Sequence, residues 1–359
     1  MKWLKSLMII AAFRGLASAD TIHIPEDYPS IQLGLYAASS GDTILVAPGT
    51  YNGFVWSGIM LMDIHILGAG AFGDSVSTLV NDGSIYLDDA HGWEIAGFEI
   101  TGCYTGIYTE YCSDLDIHHN YIHNLNESHS YATLIEFCDD LYIHHNVFAY
   151  ISYVAVRLTG VENVVYYNND VMYTLWHHGF LIDDNHYGLQ IINNIIAFND
   201  DDGIQFVVSQ GDAILNYNDN YGNGSNWNNC SPGIGCISSD PQFTGSPACQ
   251  YTLRRSSPCI DAGDPAYPLD PDGTRCDIGA YYFVQAPPPI EDVTIAVSSP
   301  NILLDWNDVP NATIYHIYRS TEPYFDIIGM TPIGSSTNSE YEDVNVLSGG
   351  CYYYRVSWE

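Results

Sequence analysis

Arg157 is the single arginine between residues 20 and 253, so chemistry that needs a guanidinium on this stretch has one place to go. It sits in Val154-Ala155-Val156-Arg157-Leu158-Thr159, where strand alternation turns Val156 and Leu158 inward and Arg157 outward. The same alternation turns Tyr108 and Glu110 out beside Ile107 and Thr109, and turns Glu136 out of the next repeat. With a slip of one residue, Glu110, Glu136, Arg157 and Asp184 form an outer column at spacings of 26, 21 and 27. Such a column is a charged groove for a sugar polymer, with Arg157 at the reacting carbon and Glu136 and Asp184 on either side. The competing reading is a ladder of surface ion pairs worth about 0–1 kcal/mol each. Flanking carboxylates hold an arginine, whose pKa already exceeds ~12, more firmly protonated, which opposes its use as a base.

Three further sets are chemically capable. His118-His119 and His144-His145 recur one repeat apart, and stacked imidazoles serve as metal ligands or as acid and base near neutral pH. His177 and His178 follow Trp176, which with Tyr108 offers flat faces for sugar rings. Asp200-Asp201-Asp202 precede Gly203, and Asp201 and Asp202 are the pair expected to hold a metal, with Ca²⁺ the cation such oxygens take. Each set has a plain structural alternative: polar residues on a wet strand face, good strand formers, or an exposed turn.

The surroundings restrict what these groups can meet. The chain carries 43 acidic residues against nine basic ones, for a net charge of −34. Both lysines, Lys2 and Lys5, precede residue 20. That balance excludes nucleic acid and anionic membranes as partners, and it repels acidic polysaccharides unless a cation mediates. Lys2 and Lys5, the apolar run Leu7–Phe13 and Ala17-Ser18-Ala19 read as a secretory signal over residues 1–19, and no later run is long enough to span a bilayer. The nine cysteines are then free to form disulfides, an odd count that leaves at least one without a partner in the chain; Cys230 and Cys236 flank a short loop and Cys259 and Cys276 a turn-rich stretch, and the connectivity stays open.

Repetition dictates the elements that position these groups. Ile95, Ile117, Ile143, Val165, Ile191 and Leu215 recur at spacings of 22, 26, 22, 26 and 24. Asparagines follow three residues after all but the first: Asn120, Asn146, Asn168, Asn194 and Asn218, with Asn169 replacing Asn168 if one repeat carries an insertion. A period near 24 with short alternating strands predicts a β-solenoid whose coils bury their apolar faces only by stacking. The asparagines then form a ladder at one bend. Ile31, Leu35 and Ala38 at helical spacing after Pro29 predict a short helix over the open end of the stack, within a capping segment 20–54. Coils are expected over residues 55–283, a stiff linker over 284–289, and sandwich strands over 290–359, with Trp306 in their core.

Ile22–Tyr51, with Pro25-Glu26-Asp27-Tyr28-Pro29 and Gly41–Tyr51, resembles the opening of secreted right-handed parallel β-helix proteins of the pectate-lyase-like superfamily. Ser257–Pro265 and Asp277–Tyr281 resemble the end of the helix in bacterial members, and Trp306 with Tyr352–Val356 resembles a fibronectin type III domain. The resemblance implies an all-β chain: a right-handed parallel β-helix followed by a partial β-sandwich that the given sequence stops short of completing. It implies little about activity, because this fold hosts lyases, hydrolases, esterases and inert adhesins. A polygalacturonase-like member presents paired aspartates before a Gly-His-Gly-like segment, whereas here Asp201-Asp202 follow His177-His178-Gly179. Lysine-based lyases are excluded beyond residue 19, and an arginine-based, Ca²⁺-dependent lyase has only Arg157 on the coils. The expected function is a secreted, monomeric, carbohydrate-associated protein that binds a polysaccharide or cell-surface glycan, with a polysaccharide lyase or hydrolase as the alternative.

Overall fold

The computed structural model describes residues 19–58, 61–70, 78–245, 251–285 and, of 290–358, all but 291, 299, 310, 311, 324, 326, 328, 329, 345 and 347–350. All but Ala19 of the expected secretory signal, and most of the expected 284–289 linker, therefore lie outside the described residues. Two compact units are present, one running to Asp270 with Arg275–Phe283, the other comprising Pro271–Thr274 and the chain from Val284.

The first unit is a parallel β-helix. Its three sheets contain nine, eight and eight strands, and every neighbour is one coil away in sequence. The first sheet runs from Thr21–Ile24 to Ile214–Asn216, the second from Gly49–Tyr51 to Asp219–Tyr221, the third from Phe54–Ser57 to Ser225–Asn228. Inward residues stack into apolar columns. In the first sheet Ile44, Ile66, Ile95, Ile117, Ile143, Tyr166, Ile191 and Leu215 are in register and buried. Tyr166 belongs to this column in place of the expected Val165, because the coil from Ile143 is 23 residues long and pairs Val165 with Tyr142. Its buried hydroxyl is satisfied across the core by Thr133 Oγ1 at 3.0 Å.

That one residue also resolves the ladder. The backbone N–H groups of Asn120, Asn146, Asn169 and Asn194 donate to the side-chain oxygens of Asn146, Asn169, Asn194 and Asn218 at 2.9–3.0 Å. Each side-chain NH₂ donates back to a carbonyl of the preceding coil, as Asn146 does to Ile117 O. Asn168 is not a rung: its amide donates to Asp277 O and Gly279 O. A second ladder at another bend, Asn199 on Asn223 at 2.9 Å, was not foreseen from the repeat.

The cap is a helix over Ile31–Ala37, begun by Ser30, whose hydroxyl accepts from Leu33 N. Ile31 and Leu35 seal the end strands of the first and third sheets. Gly34 is required at the contact, since a Cβ there would sit 2.8 Å from Ile24 Cδ1.

At the other end, coils stop at Ser225–Asn228, short of the expected 283. The chain beyond is a strap of turns laid on the outer face of the second sheet. Phe243, Tyr251, Leu253, Cys259, Ile278 and Ala280 cover Tyr121, Val147, Met172, Ile195 and Ala197. The sheet's outward side is apolar here, so it needs this cover as much as the inner face needs the core. Among the described residues all cysteines are free thiols, Cys230, Cys236, Cys259 and Cys276 included, so the disulfides expected of an exported chain are not formed among them.

The second unit holds two three-stranded antiparallel sheets. Ile302, Leu304, Trp306, Tyr315, Ile317, Val346 and Val356 form its core, with Trp306 buried as expected.

Candidate functional site

The outer face of the third sheet carries two parallel columns. In one, Tyr86, Tyr108, Leu134, Arg157, Leu181 and Gln205 are successive register partners. In the other, Asp88, Glu110, Glu136 and Thr159 follow one another, and Asp183 Oδ1 accepts from Thr159 Oγ1 at 2.8 Å. The single expected column is therefore split in two. The repeat from Leu134 to Arg157 is 23 residues, matching that from Ile143 to Tyr166, and places Arg157 opposite Leu134 instead of Glu136. Asp184 is not Arg157's partner; its carboxylate accepts from Asn185 N.

Arg157 faces outward, as expected, and pairs with Asp183 through Nε at 2.7 Å and an NH2 nitrogen at 2.6 Å. Burial works against its charge, yet the two bonds to Asp183 outweigh it and hold the guanidinium above the ordinary arginine value. Removing its proton near neutral pH is therefore harder than in water. Glu136 accepts from the Tyr108 hydroxyl at 2.6 Å, and the Tyr86 hydroxyl donates to Glu110 at 3.2 Å. The Tyr86 and Tyr108 rings lie 4.8 Å apart, tilted by 35°, and burial with these carboxylates pushes Tyr86 up to about 12 and Tyr108 higher still. These phenols stay protonated and act as donors.

From Arg157 a band of rings runs onto the loops that join the second sheet to the third. The guanidinium lies 5.8 Å over the Tyr131 ring. Tyr131 meets Tyr153 edge-on at 5.6 Å, and Tyr153 meets His129 at 4.8 Å and His177 at 4.4 Å. Trp176, Tyr153, His129 and His177, with Asn126, Ser128 and Ser152, line a groove of about 440 Å³. Trp176 is 69% exposed, although it is large and apolar. The loops are held from beneath: Thr174 N–H donates to Asn199 Oδ1, and the Ser130 and Ser152 hydroxyls both donate to Glu127 O.

Beside His177 in the same loop, His178 Nδ1 lies 3.2 Å from the Asp202 carboxylate and 3.7 Å from that of Asp201, both on the following coil, and accepts from Asp202 N at 3.3 Å. Asp202 is buried and accepts from Asn228 Nδ2 at 2.8 Å, whereas Asp201 is exposed. Burial, only partly offset by the two carboxylates, lowers the pKa of His178, so its ring is neutral near pH 7. The structure thus brings Arg157, Trp176, His177, Asp201 and Asp202 onto adjoining coils and leaves Tyr108, Glu110 and Glu136 on the earlier ones. Tyr131, Tyr153, His129 and Asp183 were missed by sequence reasoning. Asp183 lies 24 residues after Thr159, the step that also separates Arg157 from Leu181, and would have emerged from carrying the column on by that repeat; the loop rings follow no strand alternation.

The other histidines do stack on the first sheet. His118 lies 4.9 Å over His144 and His119 lies 5.2 Å over His145, each pair with nearly parallel planes. Their outer nitrogens are engaged by acids, His118 Nε2 with Glu94 at 2.8 Å and His144 Nε2 with Asp116 at 3.0 Å. Burial and the neighbouring rings push His145 down to about 3.

A family model described as a right handed beta helix region matches residues 83–246. No curated protein matches the chain. Among solved structures, a periplasmic alginate epimerase aligns at 15% identity over 61% of this chain and 54% of its own, with a TM-score of 0.44. The A-module of the mannuronan C-5 epimerase of Azotobacter vinelandii aligns at 17% identity over 55% and 67%, with a TM-score of 0.41. A pectate lyase aligns at 13% identity over 75% and 97%, with a TM-score of 0.34. The chain spans about half the length of the periplasmic enzyme. The family match and the register of the three parallel sheets agree that this chain is built on a right-handed parallel β-helix.

Proposed function

We propose that the protein binds a polysaccharide along the loops joining its second and third sheets. The observation that carries this reading is the groove in which Trp176, Tyr153, His129 and His177 present ring faces and edges among Asn126, Ser128 and Ser152. Aromatic faces beside small polar groups suit sugar rings, which offer C–H faces and hydroxyl edges. The carboxylates Asp88, Glu110, Glu136 and Asp183 on the adjoining sheet favour a neutral glycan over a uronate polymer. Export of the protein, and a fibronectin-type identity for the unit around Trp306, belong to the same proposal. They are supported by the charged and apolar start of the sequence and by the two antiparallel sheets.

The test is affinity electrophoresis on neutral and uronate-rich polysaccharides. Trp176→Ala is expected to weaken binding to a neutral glycan by about tenfold or more, a loss of ~1.4 kcal/mol. Unchanged mobility across the panel, or a Trp176→Ala variant that binds as the parent does, would refute it.

Cleavage of the bound polymer is a second reading, favoured by the neutral His178 beside Asp202 at the groove's end. Arg157 is not the base in it, given its pairing with Asp183. Release of unsaturated or reducing ends, lost in His178→Ala, would establish it.

A further inference from the structure

We infer that His177, His178 and Asp201 form a binding site for a divalent first-row transition cation, zinc foremost. Each offers one ligand atom, and these atoms lie within 4.8 Å of one another, the single set of this kind among the described residues. Metal bonds of about 2.0–2.2 Å place neighbouring ligand atoms about 3.4 Å apart in a tetrahedron. His178 Nδ1 and Asp201 Oδ2 are already at 3.7 Å, and exposed Asp201 and half-buried His177 are free to close the remainder by side-chain rotation.

The backbone sets the three on adjacent coils. Asp201 N–H donates to His177 O and Gly179 N–H donates to Asp202 O, so the His177-His178 turn is locked against the Asp201-Asp202 turn. Asp202 supplies a second, independent feature. It is buried, 3.2 Å from His178 Nδ1, and fixed by Asn228. Its backbone N–H also donates to that nitrogen at 3.3 Å, which marks Nδ1 as the unprotonated ring nitrogen, the form a cation takes, with a buried carboxylate adding negative charge beside it. Two imidazoles and one carboxylate are a borderline donor set that suits zinc, cobalt or nickel. Calcium needs six to eight oxygens, which these residues do not provide. In place of the Ca²⁺ expected from sequence on Asp201 and Asp202, the site is a mixed one that keeps Asp201 as a ligand and has Asp202 as a neighbouring charge. Three protein ligands leave a coordination position open, as in sites that polarise a bound water or sugar oxygen.

This metal site shares His177 with the proposed glycan groove but does not rest on the glycan reading, and it is tested without a glycan. Full-length chain stripped with chelator is titrated with Zn²⁺ by calorimetry and with Co²⁺ by visible absorption. One equivalent of Zn²⁺ is expected, together with cobalt d–d bands. His177→Ala and Asp201→Asn, both outside the core, should each weaken binding about 10–100-fold. A His118→Ala/His144→Ala variant should bind as the parent does. Circular dichroism of the metal-free variants checks their fold, and because His178→Ala risks that fold, the outcome is decided at the other two positions. Absence of saturable Zn²⁺ binding, or binding that is unaffected at His177 and Asp201 yet lost with His118 and His144, would overturn the site.

Discussion

At the scale of single residues, environment separates groups that look equivalent in sequence. Arg157 shares its charge with Asp183 on a half-exposed face, so the pair contributes about 0–1 kcal/mol. Arg157→Gln is therefore expected to leave the thermal midpoint within a few degrees of the parent, and a collapse of the fold in differential scanning fluorimetry would contradict this. Asp219 behaves differently. It is buried beneath the strap, accepting from Ser239 N at 3.0 Å and lying 3.2 Å from Cys259 Sγ, and burial, against these bonds, pushes its pKa up to about 6. Protons are thus bound more tightly in the folded state than in the unfolded chain. The stabilisation by the neutral acid is complete below about pH 4 and is lost as pH rises through about 6, a change of roughly 3 kcal/mol at most. Asp219→Asn should flatten this fall in urea-unfolding free energies measured between pH 4 and 7, and should match or exceed the parent at pH 7. A steeper fall in the variant would contradict the assignment. Asp170, wholly buried and accepting from Ala280 N at 3.1 Å, is pushed the same way.

At the scale of elements, the bends carry as much specification as the strands. A parallel stack satisfies its strand backbone by pairing, but each bend breaks the pairing and leaves N–H and C=O groups to be met by side chains. Asn146, Asn169 and Asn194 each accept one N–H from the coil before and donate to a carbonyl there. Asn169→Leu would strand several buried groups and should cost about 1–3 kcal/mol for each one left unmet. Asn168→Ala removes the bonds to the strap at Asp277 O and Gly279 O and the one its Oδ1 accepts from Asn193 Nδ2 at 3.3 Å, but no rung of the ladder, and should cost less. Denaturant midpoints of the two variants rank the positions; the reverse order would mean that the rung is misassigned.

At the scale of the whole molecule, charge and cover matter most. A net charge of −34 makes the compact state repel itself, and salt screens that repulsion over about 10 Å at 0.1 M. Raising NaCl from about 10 mM to about 150 mM is expected to lift the thermal midpoint, about 2–4 °C for each kcal/mol gained. A midpoint that falls with salt would show that attractive pairs such as Arg157–Asp183 dominate. The strap acts on the same scale, since the second sheet turns Val147, Met172 and Ile195 outward and the segment to Phe283 keeps water from them.

The parallel coils, the capping helix and the asparagine bend were legible in the sequence because they arise from local periodicity, which each repeat states again. The direction of Arg157 was legible for the same reason, since alternation needs only its neighbours. Its partner was not: that depends on the length of the whole coil, and one residue between Ile143 and Tyr166 shifts the pairings of that coil, exchanging Glu136 for Leu134 and Asn168 for Asn169, before Ile191 and Asn194 return to the expected places. The loop rings and the Asp202–His178 contact were decided by tertiary structure alone, because they join side chains on different coils through bends whose path no repeat encodes. The sequence by itself thus determined the stack and which faces it buries, through short-range patterning repeated many times. The tertiary structure decided which outward groups meet, because contact across coils is fixed by the accumulated register of the stack.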